Sequence, residues 1–270
     1  MKILLNSTEL KKVLERNLSL GFVPTMGSIH KGHEYLISRS QKECKKTIVS
    51  IFINPMQFNN KKDLKKYPKN IKQDLNKLKK LKIDFLFIPK TNDIYKIKRQ
   101  KKIKLKKKDL ILCAKYRKGH FEGVLDVMDR LTKLIYPNKI YMGEKDYQQY
   151  FLTKNFLEKR YDTKIIKCKT IRNKDFVALS SRNLLIKKKF LKIVTKVINE
   201  IRIIKKILSK DININKHLKI KSKELMKKYK IKIEYLELRN LTDLKSSNSF
   251  KNSKLFIAFY LNKIRLIDNL

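Results

Sequence analysis

LGFVPTMGSIHKGHEYLISRSQKECKKTIVSIFI, residues 20–53, carries the pattern that decides the fold. Its two ends, 20–23 and 47–53, are short apolar runs without the polar alternation of a half-exposed strand. Between them, 34–42 has the spacing of an amphipathic helix. Strand, turn, helix and strand in so short a stretch make a βαβ unit, whose strands must run parallel. The pattern repeats onward, with strands expected at 83–88, 139–142 and 163–168 and helices at 70–81, 124–135 and 147–160. Buried, non-alternating strands separated by helices predict an α/β fold with a doubly wound, Rossmann-like parallel sheet. Ligands in such sheets collect beyond the carboxyl ends of the strands. The last third reads differently. Helices at 187–208 and 214–229 precede strand-like runs at 231–238, 255–260 and 264–268, the order of a smaller α+β domain. The expected division is 1–177 and 178–270. Residues 94–109 (IYKIKRQKKIKLKKKD) read as a solvated basic loop or an edge hairpin.

Composition then narrows the function classes. The chain has 270 residues, with 68 Lys+Arg against 24 Asp+Glu and a formal net charge of +44. Such a surplus ordinarily points to nucleic acid or an anionic membrane. Here Lys, Asn, Ile, Tyr and Phe are abundant while Ala, Gly, Pro and Trp are scarce, which is the signature of AT-rich codons. The lysines are scattered through nearly every segment, so mutational bias accounts for the charge better than a selected binding face. No apolar run approaches the roughly 18–20 residues of a membrane span, and MKILLNSTELKKV lacks the apolar core of a leader. Cys44, Cys113 and Cys168 are odd in number, far apart and in no CxxC pattern, which predicts a reducing, cytoplasmic setting.

Against that bias the scarce residues inform most. Five of the six glycines and three of the four histidines fall in short clusters. VPTMGSIHKGH (23–33) leaves a strand and enters a helix, with His30 and His33 three apart on one face. Free N–H groups and the dipole at a helix start favour an anion, and two imidazole donors there suit a phosphate gaining charge. The stretch is neither a Walker A loop nor GxGxxG. HxxH can also ligate zinc, but no third ligand lies nearby in sequence. SIFINPMQF (50–58) places Asn54, Pro55 and Gln57 at the end of a buried strand, where an amide suits a hydroxy acid. RKGHFEGV (117–124) precedes the long amphipathic helix expected at 124–135. In GEKDYQQ (143–149), Gly143 permits close approach, Lys145 offers a point charge and Asp146 is placed to cap a helix. ALSSRN (178–183) sets two hydroxyls and an arginine fork on a hinge. Each has an ordinary turn or cap reading alone. Together they fall where a doubly wound sheet gathers its strand ends.

These stretches, with the terminal RLIDN, resemble the pantothenate synthetases (pantoate–β-alanine ligases) in order and spacing from about residue 20 to Asn269. HxGH alone is shared with the wider nucleotidyltransferases; NPMQF, GEKDYQQ and LSSRN together are specific. The resemblance implies an AMP-forming ligase that joins pantoate to β-alanine through pantoyl adenylate, using ATP and Mg2+. It implies that Met26, Gly27, Ser28, Ile29, His30, Lys31, Gly32 and His33 line the ATP site. His30 and His33 would meet the phosphates, with His33 as catalytic acid. Gly143, Glu144, Lys145 and Asp146 would bind nucleotide, with Lys145 catalytic on the phosphates, and Ile171 would contact adenine. Leu179, Ser180, Ser181 and Arg182 would close from the second domain. Gln57 and Gln149 would hold pantoate, Gln57 also facing β-alanine, and Asp74 in YPKNIKQDL is a candidate for the metal. The resemblance also implies a homodimer.

Two departures stand out. Lys118 replaces a usual proline before Gly119, and Phe176 stands where glycine is usual, so a positive φ there would be strained. The competing readings are another HxGH nucleotidyltransferase or a non-specific RNA-binding protein. The aromatic residues form no RNP-like or OB-like stacking set. Neither a specific nucleic-acid partner nor a membrane is expected.

Overall fold

The computed structural model describes residues 1–14, 19–96, 101–208 and 213–270, and divides into two units, Met1–Ile171 and Arg172–Leu270. In the first unit, described strands β1 (Lys2–Leu4), β2 (Leu20–Thr25), β3 (Lys46–Ile51), β4 (Phe85–Phe87), β5 (Lys139–Gly143) and β6 (Lys164–Cys168) form one sheet. The order is β1-β4-β3-β2-β5-β6 and every pairing is parallel. Helices α1 (Ser7–Val13), α2 (Lys31–Glu43), α3 (Lys61–Lys66), α4 (Ile71–Lys80), α5 (Thr91–Tyr95), α6 (Leu112–Tyr116), α7 (His120–Ile135) and α8 (Tyr147–Leu157) fill the connections. The doubly wound parallel sheet is as the buried strand runs predict.

Burial on both faces explains the unbroken apolar strands. Val23, Val49, Leu86 and Tyr141 share one core with Ile37 of α2 and Leu78 of α4. The alternate residues Phe22, Ile48, Ile140 and Ile165 are buried as well, as a sheet covered on both sides requires. The sheet reverses its winding between β2 and β5. There the pairing spans only Gly21–Phe22 against Lys139–Ile140. By contrast β2 stays paired with β3 to Thr25↔Ile51, and β5 with β6 to Gly143↔Cys168. Pro24 brings no N–H to the strand, and the β2–β5 ladder stops before it. The carboxyl ends of β2 and β5 therefore part at the switch point, where a ligand crevice belongs.

The second unit holds α9 (Lys188–Leu208), α10 (Ile214–Tyr229) and an antiparallel sheet of β7 (Lys232–Asn240), β8 (Ser253–Leu261) and β9 (Ile264–Asn269). One face of α9, including Val194, Val197, Ile201 and Ile204, shares a core with Leu218, Leu238, Ile257 and Phe259. The break falls after Ile171, earlier than the expected 177/178. Arg172 explains the difference: it grips Asp268 with two bonds of 2.7 and 2.9 Å and donates to the Asn269 carbonyl at 3.0 Å. That fork ties 172–178 to β9 and gives the aspartate of RLIDN its role.

Over residues 101–106 the expected solvated basic loop is found, largely exposed and without regular structure, and it ends in a short 3-10 turn at Lys107–Asp109; the hairpin is not. The start of 94–109 lies in α5, where Ile94 is buried, and no strand occurs among the described residues 101–109; residues 97–100 lie outside the described ones. Phe176 does adopt a positive φ, +63°. Its ring lies 3.6 Å from the Arg202 guanidinium, and its carbonyl accepts from Arg172 at 2.9 Å. Lys118 keeps its turn without proline. Its carbonyl accepts from the Asn59 amide, and Gly119 takes φ +78° as α7 begins.

Candidate active site

The turn from β2 into α2 is built before any ligand arrives. The Thr25 hydroxyl donates to the Ser50 carbonyl of β3 (2.7 Å) and accepts from the Gly27 N–H (3.1 Å). Gly27 and Ser28 then take positive φ values of +82° and +52°, a conformation costly for serine. Asp74 of α4 holds it there: one carboxylate oxygen accepts from the Ser28 N–H (2.8 Å), the other from the Ile29 N–H (2.7 Å). Three residues along the same helix, the Lys77 ammonium donates to the Ile29 carbonyl at 2.5 Å.

His30 follows as the N-cap of α2, its Nδ1 accepting from the Gly32 N–H at 3.1 Å. The neutral ring therefore carries its proton on Nε2. His33 stacks on it with centroids 4.0 Å apart and planes inclined by 23°. Its Nδ1 is buried without a hydrogen-bond partner among the described residues. Burial pushes the His30 pKa down to about 4, helped by Lys145 and Lys77, against a smaller opposing pull from Asp146. For His33, burial, the His30 ring, Lys145 and Lys77 lower it to about 3. Both imidazoles are thus neutral near pH 7 and offer N–H groups without adding to the local cationic charge.

Lys145 reaches the pair from the end of β5, with its side chain only 15% exposed and 3.4 Å from Asp146. Asp146 stands at the start of α8 but makes no side-chain cap bond, a correction to the capping role expected for it. No Cβ clash would arise at Gly143, which borders open space. Glu144 pairs with Lys167 at 3.4 Å.

The β3 end contributes a second group. Asn54 is buried; its carbonyl oxygen accepts from the Met56 N–H (3.1 Å) and the Tyr95 hydroxyl (2.8 Å), and its amide donates to the Gly123 carbonyl (3.0 Å). The Gln57 amide lies against the Met26 sulfur at 2.7 Å, a weak acceptor that a substrate oxygen can replace. Behind it, Arg117 donates to His120 Nε2 (2.7 Å), which leaves Nδ1–H to donate to the Gln57 carbonyl (2.7 Å). His120 is therefore a buttress, the role sequence left open. Of the two glutamines opening α8, Gln148 is buried, its Nε2 donating to the Ile111 carbonyl (2.8 Å) while its Oε1 has no hydrogen-bond partner among the described residues; the Gln149 side chain has none either.

The structure thus brings Met26, His30, His33 and Lys145 of the first unit to the strand ends around the switch point, and joins Gln57 to Met26. Lys31 is exposed. Asp74 is committed to the turn, and no group of three His, Cys, Asp or Glu side chains suited to a metal occurs among the described residues. Ile171 ends the first unit. Leu179, Ser180, Ser181 and Arg182 belong to the second, where the Ser180 hydroxyl caps a short 3-10 turn by accepting from the Arg182 N–H at 3.3 Å. Sequence reasoning missed Lys77, one lysine among many, and Tyr95, assigned to the basic loop.

The comparisons point one way. A family model described as pantoate-beta-alanine ligase matches residues 2–270. A bifunctional pantoate ligase/cytidylate kinase of Prochlorococcus marinus is 41% identical over 99% of this chain; the chain spans only 54% of that relative's length. A pantothenate synthetase of Clostridium botulinum is 37% identical, over 96% of this chain and 94% of the relative. Among solved structures, a pantoate-beta-alanine ligase from Francisella tularensis complexed with beta-gamma ATP and beta-alanine is 37% identical. It superposes with a TM-score of 0.84 over 100% of this chain and 97% of its own.

Proposed function

This chain belongs to the pantoate–β-alanine ligase family, and from that premise we propose that it condenses pantoate with β-alanine through a pantoyl adenylate. A pantoate carboxylate oxygen bonds to the α-phosphorus of ATP while the bond to the bridging oxygen breaks, and pyrophosphate leaves with the electron pair. The free amine of β-alanine then attacks the acyl carbon, AMP departs with its pair, and the amine proton passes to solvent. The observation that carries this reading is the stacked, neutral His30–His33 pair at the start of α2 beside Lys145.

The protein's contribution is positioning and charge neutralisation. The His30 Nε2–H, the His33 ring, Lys145 and the unspent N–H groups of α2 would hold the phosphates, with His33 able to act as proton donor only once bound phosphate charge has raised its pKa. Gly143, Glu144 and Asp146 would flank the nucleotide, Ile171 would touch adenine, and Leu179 to Arg182 would close over it. Gln57 and Gln149 would orient pantoate, with His120 and Asn54 fixing the loop that bears Gln57.

Magnesium would enter with ATP and neutralise phosphate charge. Both Asp74 oxygens already accept backbone N–H groups, so the residues suit an ion held chiefly by phosphate oxygens and water, with at most a carboxylate of Asp74 or Asp146 added. Three free, buried cysteines suit the reducing cytoplasm. No described helix is long and apolar enough to cross a membrane. We infer a homodimer and no specific nucleic-acid partner.

Pantoate-dependent exchange of pyrophosphate into ATP, together with equal formation of AMP and pantothenate, tests the reading. Exchange that needs no pantoate would assign the chain to another nucleotidyl transfer. The absence of any exchange would overturn the proposal.

A further inference from the structure

Asp74 poses an electrostatic problem for the site. Its carboxylate is 2% exposed and lies directly against the Ser28 and Ile29 N–H groups, under the loop that must receive a polyphosphate. A buried negative charge there repels the ligand unless a cation offsets it. Lys77 brings a cation to the same loop. It lies on the same face of α4, three residues from Asp74, and donates to the Ile29 carbonyl one residue before the His30 cap. It also bears on both imidazoles of the stacked pair, as does Lys145. The two lysines reach the pair from different elements, α4 and the end of β5. An ammonium carries three donors, and the Ile29 carbonyl uses one.

We propose that Lys77 is a second phosphate-binding cation of the site, holding the polyphosphate of ATP from the α4 side while Lys145 holds it from the β5 side. The same residue positions the loop by pulling on the Ile29 carbonyl, against Asp74 on the adjoining N–H groups. This deepens the ligase reading and rests on it for the identity of the nucleotide. A site with both cations binds free pyrophosphate, the leaving group of the first step, as well as ATP.

Calorimetric titration of the full chain with pyrophosphate, ATP and pantoate separates these roles. Lys77→Met should weaken pyrophosphate and ATP about tenfold or more, as loss of a charge-assisted bond implies, with pantoate affinity held within about twofold. Lys77→Arg, which keeps the charge and a donor, should restore most of the loss. Lys79→Met removes an equal charge from an exposed position of the same helix and should leave pyrophosphate binding unchanged. Unaltered pyrophosphate affinity in Lys77→Met overturns the proposal, as does a wild-type chain that binds no pyrophosphate. Equal losses for pantoate and pyrophosphate, unrelieved by Lys77→Arg, would reduce Lys77 to a loop anchor. Pyrophosphate binding is read without turnover, so a chain that makes no pantothenate yet shows this pattern would overturn the ligase reading and leave Lys77 in place.

Discussion

At the scale of single residues, the site depends on imidazoles that stay neutral. An unfolded histidine takes up a proton near its ordinary pKa of 6.5, while folded His30 and His33 resist until about 4 and 3. Between those limits the unfolded chain binds more protons, so acid removes stability. Above pH 6.5 the contribution is fully present; it is lost as pH falls toward 4 and 3. His33→Gln should therefore melt with a smaller drop between pH 7 and pH 5 than the wild type, by scanning calorimetry. Equal drops would show that His33 is not held neutral. Phosphate binding brings negative charge to the pair and should raise both values, so ATP binding should take up protons in that acid range. In turnover, His33→Ala and Lys145→Ala should each cost on the order of 10²–10³ in rate with folding intact, the usual loss for one preorganised donor. Near wild-type rates would remove either residue from the mechanism. The pair was legible because histidine is scarce here. Lys77 was not, because its ammonium is one of many and only the fold brings it to the Ile29 carbonyl.

At the scale of elements, α7 and the Asn54–Gln57 loop meet at Gly123. A Cβ there would lie 2.7 Å from the Met56 carbonyl carbon and 3.0 Å from Gln57 Cα, both backbone atoms that cannot swing aside. Gly123→Ala should push the loop off the helix at a cost of about 1–3 kcal/mol. Pantoate KM should rise more than ATP KM, measured by steady-state kinetics, because Gln57 moves while the His30 turn is held by α4. An equal rise in both would place the damage elsewhere. The long helices and paired strands followed from apolar spacing alone. The short ones did not: α5 and α6 have five residues each, too few to show a period, and β1 is a three-residue edge strand with two exposed positions. α1 did carry a readable signal, since Asn6 accepts from the Glu9 N–H and Glu9 from the Leu5 N–H, a cap set by short polar residues before an apolar one. The unit break at Ile171 needed the Arg172–Asp268 fork, a contact between residues far apart in sequence.

At the scale of the whole molecule, a charge of +44 is a standing cost to compactness. Moderate NaCl screens it over a Debye length of about 10 Å, so the melting temperature should rise with salt in the absence of ATP. A flat or falling curve would mean that the lysines are already locally compensated. The fold class could be read through this surplus because core positions stay apolar whatever covers the surface. The site could be read only in part, because lysine in abundance conceals the lysine that matters. The clamp from α4 bears on how such a composition can be tolerated at all. Asp74 and Lys77 grip main-chain groups of Ser28 and Ile29, and main-chain groups are the same in every residue except proline. Gly27 aside, whose φ of +82° and 2.9 Å approach of Asp74 Oδ2 admit no side chain, the hydrogen bonds that shape the loop are thus insulated from codon drift at the residues gripped. What drift must spare besides Gly27 is the pair that does the gripping, and in this protein half of that pair is written in the residue that drift itself favours.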